Sequence, residues 1–242
     1  MEEKQKLSKD LLNFFIEHLK HHKEEKKRKK LLEIQKSFSF SEELFNSITH
    51  GIGALLSIAG LIILVVFSTD TYQVVGMALF GSTAVLMYIM SVLYHVLPKG
   101  KTKRIFERLD LSSLYLLIAG TYTPLCFVAF DDPLRWVVFG IQWGLALIGV
   151  IFKSIWIDKL EFIHVIIYLL MALMFIFFIV PFYQGMELLG FIFLIIGGFC
   201  YSIGLLFYIF TWFKFHHGLW HLFVLSGTIL HFFAMLNLLS II

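Results

Sequence analysis

The chain has 242 residues, of which 59% are hydrophobic and only 15% carry a charge, and its mean hydropathy is +0.83. Soluble domains contain about 45–50% apolar and about 25% charged residues, so this composition excludes a soluble globular protein, a disordered chain and a disulfide scaffold. The net charge of +3 is too small to indicate a nucleic acid as the partner. Residues 1–40 hold 11 of the 20 Lys and Arg residues. We therefore predict a charged cytoplasmic segment, 1–40, followed by a membrane domain, 41–242.

The charged segment combines apolar residues at helical spacing with a dense run of charges. The apolar residues are Leu7, Leu11, Phe14, Phe15 and Leu19, and the run EEKKRKK follows them. One interpretation is an interfacial helix that lies on an anionic leaflet. The other is a solvated tail that only sets the topology. The sequence leaves both open.

Seven stretches of the membrane domain reach the length of about 20 apolar residues that a membrane-crossing helix needs. They are 45–67, 72–97, 106–130, 134–153, 160–181, 187–211 and 217–240. Polar breakers separate them, and the period-2 alternation of a transmembrane β-barrel is absent. The sequence thus predicts an all-α polytopic membrane protein, a bundle of seven transmembrane helices.

The positive charges predict how this bundle is oriented. The N-terminal segment and every second connection together contain 19 Lys and Arg residues, and the connections on the other side contain one. Because positive residues accumulate on the cytoplasmic side, we predict a cytoplasmic N-terminus and a C-terminus outside. We expect a multi-pass protein of the plasma or inner membrane without a cleaved signal peptide.

Several polar residues lie inside spans, where a charged side chain costs about 2.5–3.5 kcal/mol on insertion scales and usually marks function. They are Glu43, Asn46 and His50 at the start of span 1, Ser91 and His95 in span 2, Asp110 in span 3, and His217 and His221 in span 7. Spacings of three and four place the members of each group on one helix face. The predicted orientation brings all four groups to one depth near the cytoplasmic surface.

Imidazoles from separate spans at one depth suit a divalent metal. Three protein ligands on zinc leave a position for water, which favours chemistry over a closed structural site, although imidazole also binds other metals. Asp110 is the nearest carboxylate and is a candidate to hold or deprotonate that water, or to orient a ligating His. Ser91, one turn deeper than His95, is a candidate to bind the same water or a substrate carbonyl. A single His in a span is more often a packing residue than a metal ligand. The metal hypothesis therefore depends on the convergence of several His residues from separate spans at one depth.

Other residues have simpler interpretations. His231 lies ten residues beyond His221, about 15 Å further along a helix, and is predicted to be a polar packing residue or part of a lipid pocket. Cys126 and Cys200 lie in apolar runs and are predicted to be small core residues. Five glycines are predicted to permit close helix packing: Gly51, Gly53, Gly60, Gly197 and Gly198.

Four ordered motifs identify a family. They are ExxNxxTHGIG (Glu43 to Gly53), SxxYH (Ser91 to His95), LDLSxxYLLIAGTYTP (Leu109 to Pro124) and HxxxHxFVLSGxxxHFF (His217 to Phe233). Together they resemble the hemolysin III family, the bacterial branch of the progestin and adipoQ receptor (PAQR) family, over residues 40–242. Residues 1–40 are longer and more charged than the family pattern, so nothing is transferred to them.

The resemblance implies a seven-helix bundle with its N-terminus inside. It also implies zinc bound by His95, His217 and His221, with roles for Ser91 and Asp110, the Ser and Asp of a wider hydrolase superfamily. Eukaryotic relatives are linked to hydrolysis of ceramide-type amides. Bacterial members bear the name hemolysin and are linked to membrane lipid homeostasis.

Three functions remain open at this point. The first is a zinc-dependent, ceramidase-like hydrolase acting on a membrane lipid amide or ester, with an acyl chain held in the Phe-rich bundle. The second is a non-enzymatic sensor or regulator of the membrane state with structural zinc. The third is a cytolysin, which the apolar spans and the lack of charged pore rings argue against. We favour the hydrolase; substrate, protein partners and oligomeric state are not predicted.

Overall fold

The computed structural model describes residues 38–155 and 161–242, with residues 17–18, 20–21 and 24–25. The chain divides after Phe40 into two units, and the second, Ser41–Ile242, contains the site described below. All five apolar residues that suggested an interfacial helix lie outside the described residues. The two interpretations of the charged segment therefore stay predictions.

Helices make up nearly all of the described membrane domain, and the described residues contain no strand. The helices are α1 (Phe40–Val66), α2 (Thr71–Val96), α3 (Lys101–Ala129), α4 (Leu134–Ile155), α5 (Glu161–Leu173), α6 (Ile179–Gln184), α7 (Leu188–Ile209) and α8 (His216–Leu238). Seven stretches of helix are long and apolar enough to cross a membrane. This confirms the predicted all-α bundle of seven spans, with ends that agree to within a few residues; its orientation remains a prediction.

The fifth span is a composite of α5, a 3-10 segment (Met174–Phe178) and α6. Pro181 explains the break, because its ring lacks an N–H donor and collides with the carbonyl group of residue 177, four residues earlier. That residue lies within the 3-10 segment, where the hydrogen-bonding pattern has changed. Pro124, by contrast, lies inside the continuous helix α3.

The largest apolar cluster fills one end of the bundle. It includes Leu64 near the end of α1, Met77 near the start of α2, Leu125 in the last turns of α3, Phe182 in α6 and Met235 near the end of α8. The polar residues singled out in the sequence lie at the opposite ends of these same helices. The two ends are called the aromatic end and the histidine end below.

Close packing at glycine occurs at three of the five predicted positions. A Cβ atom at Gly53, Gly60 or Gly197 would meet a ring of a neighbouring helix. At Gly51 and Gly198 it would meet no atom within 4 Å. The prediction is therefore wrong for these two residues, because no neighbouring side chain or backbone approaches them closely.

Candidate metal centre

Three imidazole side chains meet at the histidine end. His95 lies in the last turn of α2, and His217 and His221 lie in the first two turns of α8. One possible ligand atom from each residue lies within 4.8 Å of the other two. The ring centroids are 5.2 Å apart for His95 and His217, 5.0 Å for His95 and His221, and 4.6 Å for His217 and His221. All three rings are buried, with at most 9% of the residue exposed.

The Nδ1 nitrogen of His95 is held by the carboxylate of Glu43. His95 Nδ1 lies 2.6 Å from Glu43 Oε2, and Lys103 Nζ lies 2.9 Å from Glu43 Oε1. Since the carboxylate accepts, we assign the proton of the imidazole to Nδ1, which leaves Nε2 for the cluster. A carboxylate that orients a ligating His in this way is the usual partner of a metal ligand.

Lys103 fixes this arrangement at the end of α2. Its ammonium group donates to the carbonyl oxygens of Tyr94 at 2.7 Å and Leu97 at 3.2 Å. These carbonyl groups are left without a helical partner where α2 ends. The Lys103 ammonium group therefore both caps the end of α2 and neutralises the charge of Glu43. The sequence interpretation counted this residue only as a positive charge of the second connection.

His221 is oriented by the backbone of α1. Its Nδ1 lies 3.3 Å from the carbonyl oxygen of Asn46 and 3.4 Å from Thr49 Oγ1. A carbonyl oxygen can only accept, so Nδ1 donates and Nε2 has the free lone pair. His221 Nε2 is buried and has no hydrogen-bond partner among the described residues, which is the situation of a nitrogen that lacks its ligand.

These residues fit a divalent metal. Neutral imidazole nitrogens are the donors that zinc prefers, and with Zn–N distances of about 2.0–2.1 Å the nitrogens of a tetrahedral site lie about 3.4 Å apart. In the cluster, one donor atom from each of the three residues lies within 4.8 Å of the other two. No cysteine belongs to this cluster among the described residues, and Cys126 lies in the apolar core.

The other predicted polar residues surround this cluster. His50 stacks on His221 with a centroid distance of 3.5 Å and an interplanar angle of 14°, and its edge meets Tyr88. Both nitrogens of His50 and both side-chain polar atoms of Asn46 are buried without a hydrogen-bond partner among the described residues. The sequence placed these residues on one face but gave no sign of the ring stacking.

Asp110 and Ser91 lie next to each other on facing sides of α3 and α2. Asp110 is 3% exposed and Ser91 is fully buried. The Ser91 hydroxyl is directed at the Asp110 carboxyl and has no other hydrogen-bond partner among the described residues. Ser91 lies one helical turn before His95 on α2. Ser91 and Asp110 are therefore about one turn away from the three imidazoles, toward the middle of α2.

The start of α8 is fixed against α1, which sets the positions of His217 and His221. Phe215, just before α8, has a left-handed backbone with φ of 65°, which is rare for a bulky residue. Its N–H donates to Glu42 Oε1 at 3.2 Å, and its ring meets Phe45 edge-on. Gly218 permits the close approach, because a Cβ there would collide with Phe45.

An apolar cavity of about 400 Å³ lies between α3, the fifth span, α7 and α8. It begins near Trp220, whose ring lies 4.8 Å from that of His217 and 5.1 Å from that of His221 between centroids. It continues to Leu194 and His231 toward the aromatic end. Lining residues such as Ile176 and Phe199 are exposed on the outside of the bundle, so the cavity opens sideways.

Fold and site together define a multi-pass helical membrane protein with a buried cluster of three histidines that could hold a metal ion. The chain belongs to the haemolysin-III related family, whose sequence model matches residues 38–232. The membership that the motifs predicted is thereby confirmed.

Relatives from bacteria and mammals agree with this assignment. The hemolysin-3 homolog of Bacillus subtilis (strain 168) is 39% identical over 202 residues, which are 82% of this chain and 95% of that protein. Hemolysin-3 of Bacillus cereus is 39% identical over 198 residues, 81% of this chain and 90% of that protein. The human monocyte to macrophage differentiation factor is 24% identical over 211 residues, 80% of this chain and 83% of that protein.

Proposed function

We propose that this protein is a zinc-dependent hydrolase that cleaves an amide or ester bond of a membrane lipid. One observation supports this most directly: three buried imidazoles lie next to Trp220, a lining residue at one end of an apolar cavity that opens sideways. A metal centre alone suits many functions, and an apolar cavity alone suits a receptor. Their adjacency is what a hydrolase acting on a lipid needs, because the acyl chain can be bound while its carbonyl reaches the centre.

The ligands and their partners would form the centre. His95, His217 and His221 would hold the ion, with Glu43 and the Asn46 carbonyl keeping two of the rings in the metal-binding tautomer. When bound, zinc supplies Lewis acidity toward a carbonyl and a water molecule. The chemistry beyond that falls to this chain's own acid and hydroxyl groups.

Asp110 and Ser91 would handle the protons. A carboxylate at Asp110 can accept a proton from an attacking water and later return it to the leaving amine or alcohol. The Ser91 hydroxyl, beside it, can donate a hydrogen bond to the substrate carbonyl or hold the water. Trp220 and the apolar wall would keep bulk water away from the chain of the substrate.

The distribution of positive charges indicates the side of the membrane on which this reaction would take place. With the predicted orientation, the histidine end lies at the cytoplasmic leaflet of the plasma or inner membrane. Substrate would enter from that leaflet, and the proposed role is in membrane lipid homeostasis.

The test combines metal analysis with product analysis on three variants. Full-length protein in vesicles containing labelled N-acyl and O-acyl lipids should bind one zinc per chain and release labelled fatty acid. His221→Ala should lose both zinc and product. Asp110→Asn should keep zinc and lose about 10²- to 10⁴-fold in turnover. His216→Ala is the matched control, because its Nδ1 faces the Phe207 carbonyl and not the cluster; it should keep both.

Stoichiometric zinc retained in His221→Ala would contradict the ligand set. Product formed at the same rate by Asp110→Asn would contradict the role of that carboxylate.

A second candidate is a regulator with structural zinc. It is favoured by the origin of the ligands, since an ion held by α2 and α8 would tie together two spans that are distant in the sequence. In that case removal of zinc lowers the melting temperature, and the wild type releases no fatty acid from either class of lipid.

A further inference from the structure

The connection between α7 and α8 exposes aromatic rings at the histidine end. Its sequence is FTWFKF, residues 210–215, so four of its six residues are aromatic. Their exposed fractions are 45% for Phe210, 62% for Trp212, 48% for Phe213 and 38% for Phe215. The connection has no acidic residue, and its one charge is that of Lys214. Exposed apolar side chains that lie together mark an interaction surface.

The rings of this surface are ordered by contacts with one another and with both helices. Phe210 and Trp212 stack, with a centroid distance of 4.9 Å and an interplanar angle of 1°. Phe207, near the end of α7, meets Trp212 edge-on at 6.1 Å and Phe213 at 6.2 Å. Phe207 also stacks on Phe223 of α8 at 5.4 Å. The exposed rings are therefore attached to the bundle.

The surface continues the outer side of α7. Phe199, Ile203 and Leu206 follow one another at spacings of four and three, which places them on one helix face, and all three are exposed. Since α7 is long and apolar enough to cross a membrane, this face contacts lipid. Phe210 directly follows α7, so the aromatic surface begins where the lipid-facing side of the helix ends.

The lengths of the two helices place the connection at the edge of the hydrocarbon core. α7 has 22 residues and α8 has 23, which correspond to about 33 Å and about 35 Å. The hydrocarbon core of a bilayer is about 30 Å thick, so residues 210–215 come at the level of the lipid headgroups. Tryptophan is enriched at this level, and a lysine there can extend its ammonium group toward the headgroups.

We propose that residues 210–215 form an interfacial anchor, whose aromatic rings insert between the headgroups and the upper acyl chains of the leaflet at the histidine end. The charge of Lys214 suits the phosphate groups of anionic lipids at the same level. Continuity with the lipid-facing side of α7 favours lipid over a second copy of the chain as the partner. The anchor is joined to the metal centre, because Phe215 donates its N–H to Glu42 and precedes His217 by two residues.

The depth of Trp212 in a bilayer tests the inference. The full-length protein is reconstituted into vesicles of phosphatidylcholine and phosphatidylglycerol with bromine either near the headgroup or near the end of the acyl chains. Acrylamide on both sides of the membrane serves as the water-soluble quencher. The chain has five tryptophans, so the emission of Trp212 is the difference between the wild type and Trp212→Phe. Bromine near the headgroup should quench most of this emission, and the other two quenchers should remove less of it.

Trp143→Phe gives a depth reference in the same vesicles. Trp143 is the tenth of the 22 residues of α4, so it lies near the middle of the bilayer, and its N–H donates to Thr123 Oγ1 at 3.0 Å. Its difference emission should respond more to bromine near the chain end, the reverse of Trp212. Phe213→Trp adds a second probe to the anchor and keeps the test decisive if Trp212→Phe does not fold.

Three results would overturn the inference. Strongest quenching by acrylamide would place the connection in water, and strongest quenching by bromine near the chain end would place it in the hydrocarbon core. Protection from all three quenchers would show that another protein molecule, such as a second copy of the chain, covers the rings. None of these measurements requires zinc or lipid hydrolysis, so the inference and the proposed function stand or fall separately.

Discussion

The histidine end and the aromatic end of the bundle differ in how their interior groups find partners. At the aromatic end, the ring of Phe182 lies 4.6 Å from that of Phe130 and 5.0 Å from that of Phe175 between centroids. The Phe130 carbonyl at the end of α3 receives two hydrogen bonds from Arg135, at 3.0 and 2.7 Å. At the histidine end, the side chains of Asn46 and His50 are buried without hydrogen-bond partners among the described residues.

This difference separates stability from function within one bundle. Buried polar groups without partners are rare in native proteins, and each one has a physical reason. The aromatic end has the dense packing that stabilises helix association in a membrane. The histidine end has buried polar groups to which the described residues supply no partner. Changes at the aromatic end should therefore affect unfolding, and changes at the histidine end should affect metal binding.

The largest effect is expected from a cavity at the aromatic end. Phe182→Ala removes a fully buried ring, which should lower the free energy of unfolding by about 3 to 5 kcal/mol. Unfolding in detergent measures this, and elemental analysis of the folded fraction should still find the zinc content of the wild type. A loss of zinc in the folded fraction would show that the two ends are not separable.

Phe177→Ala is the matched control for this experiment. Phe177 lies in the same span, in the 3-10 segment, and is 83% exposed. Its removal creates no cavity, so the change in the free energy of unfolding should stay within about 0.5 kcal/mol. A cost equal to that of Phe182→Ala would mean that ring burial does not determine the stability of this end.

A smaller effect is expected when the outer partner of a ligand is changed. Glu43→Gln keeps the shape of the side chain but removes the charge that faces His95 and Lys103. Zinc affinity should fall about 10- to 100-fold, as is typical for such partners. Titration against a chelator of known affinity measures this. Lys101→Met removes an exposed positive charge at the start of the same helix α3 and should leave the zinc affinity unchanged.

The spans could be predicted because hydropathy adds up over some 20 residues and survives errors at single positions. The proximity of His95, His217 and His221 could also be predicted from the sequence alone. Helical spacing placed His217 and His221 on one face, and the count of positive charges placed that face at the depth of His95. Hydropathy and the count of positive charges are both sums over many residues.

Single contacts between distant residues could not be predicted. Lys103 is one positive charge among five in the second connection, and only the geometry of α2 directs it to Glu43, 60 positions earlier. The stacking of His50 on His221 joins residues on the first and last spans, and no periodicity in the sequence reports it. His231 was left open between a packing residue and a pocket residue; it contacts the Leu194 carbonyl and also lines the cavity.

Two glycines in one turn of α1 test whether the histidine end is well packed, although some of its polar groups have no partner among the described residues. A Cβ at Gly53 would lie 2.9 Å from Tyr88 Cζ and closer to other atoms of that ring. Tyr88 is fully buried and is held by Thr228, so it cannot move aside. Gly53→Ala should therefore lower the free energy of unfolding by about 1 to 3 kcal/mol.

Gly51→Ala should do the opposite, because no atom lies within 4 Å of the added methyl group. Alanine in a helix interior is favoured over glycine by about 0.5 to 1 kcal/mol, so this variant should unfold at a slightly higher temperature than the wild type. Paired thermal unfolding curves in one detergent measure both changes. If both variants are stabilised, Tyr88 yields to the methyl group and the histidine end is loosely packed. If the signs differ, its packing is tight, and the groups without a partner among the described residues belong to an ordered site.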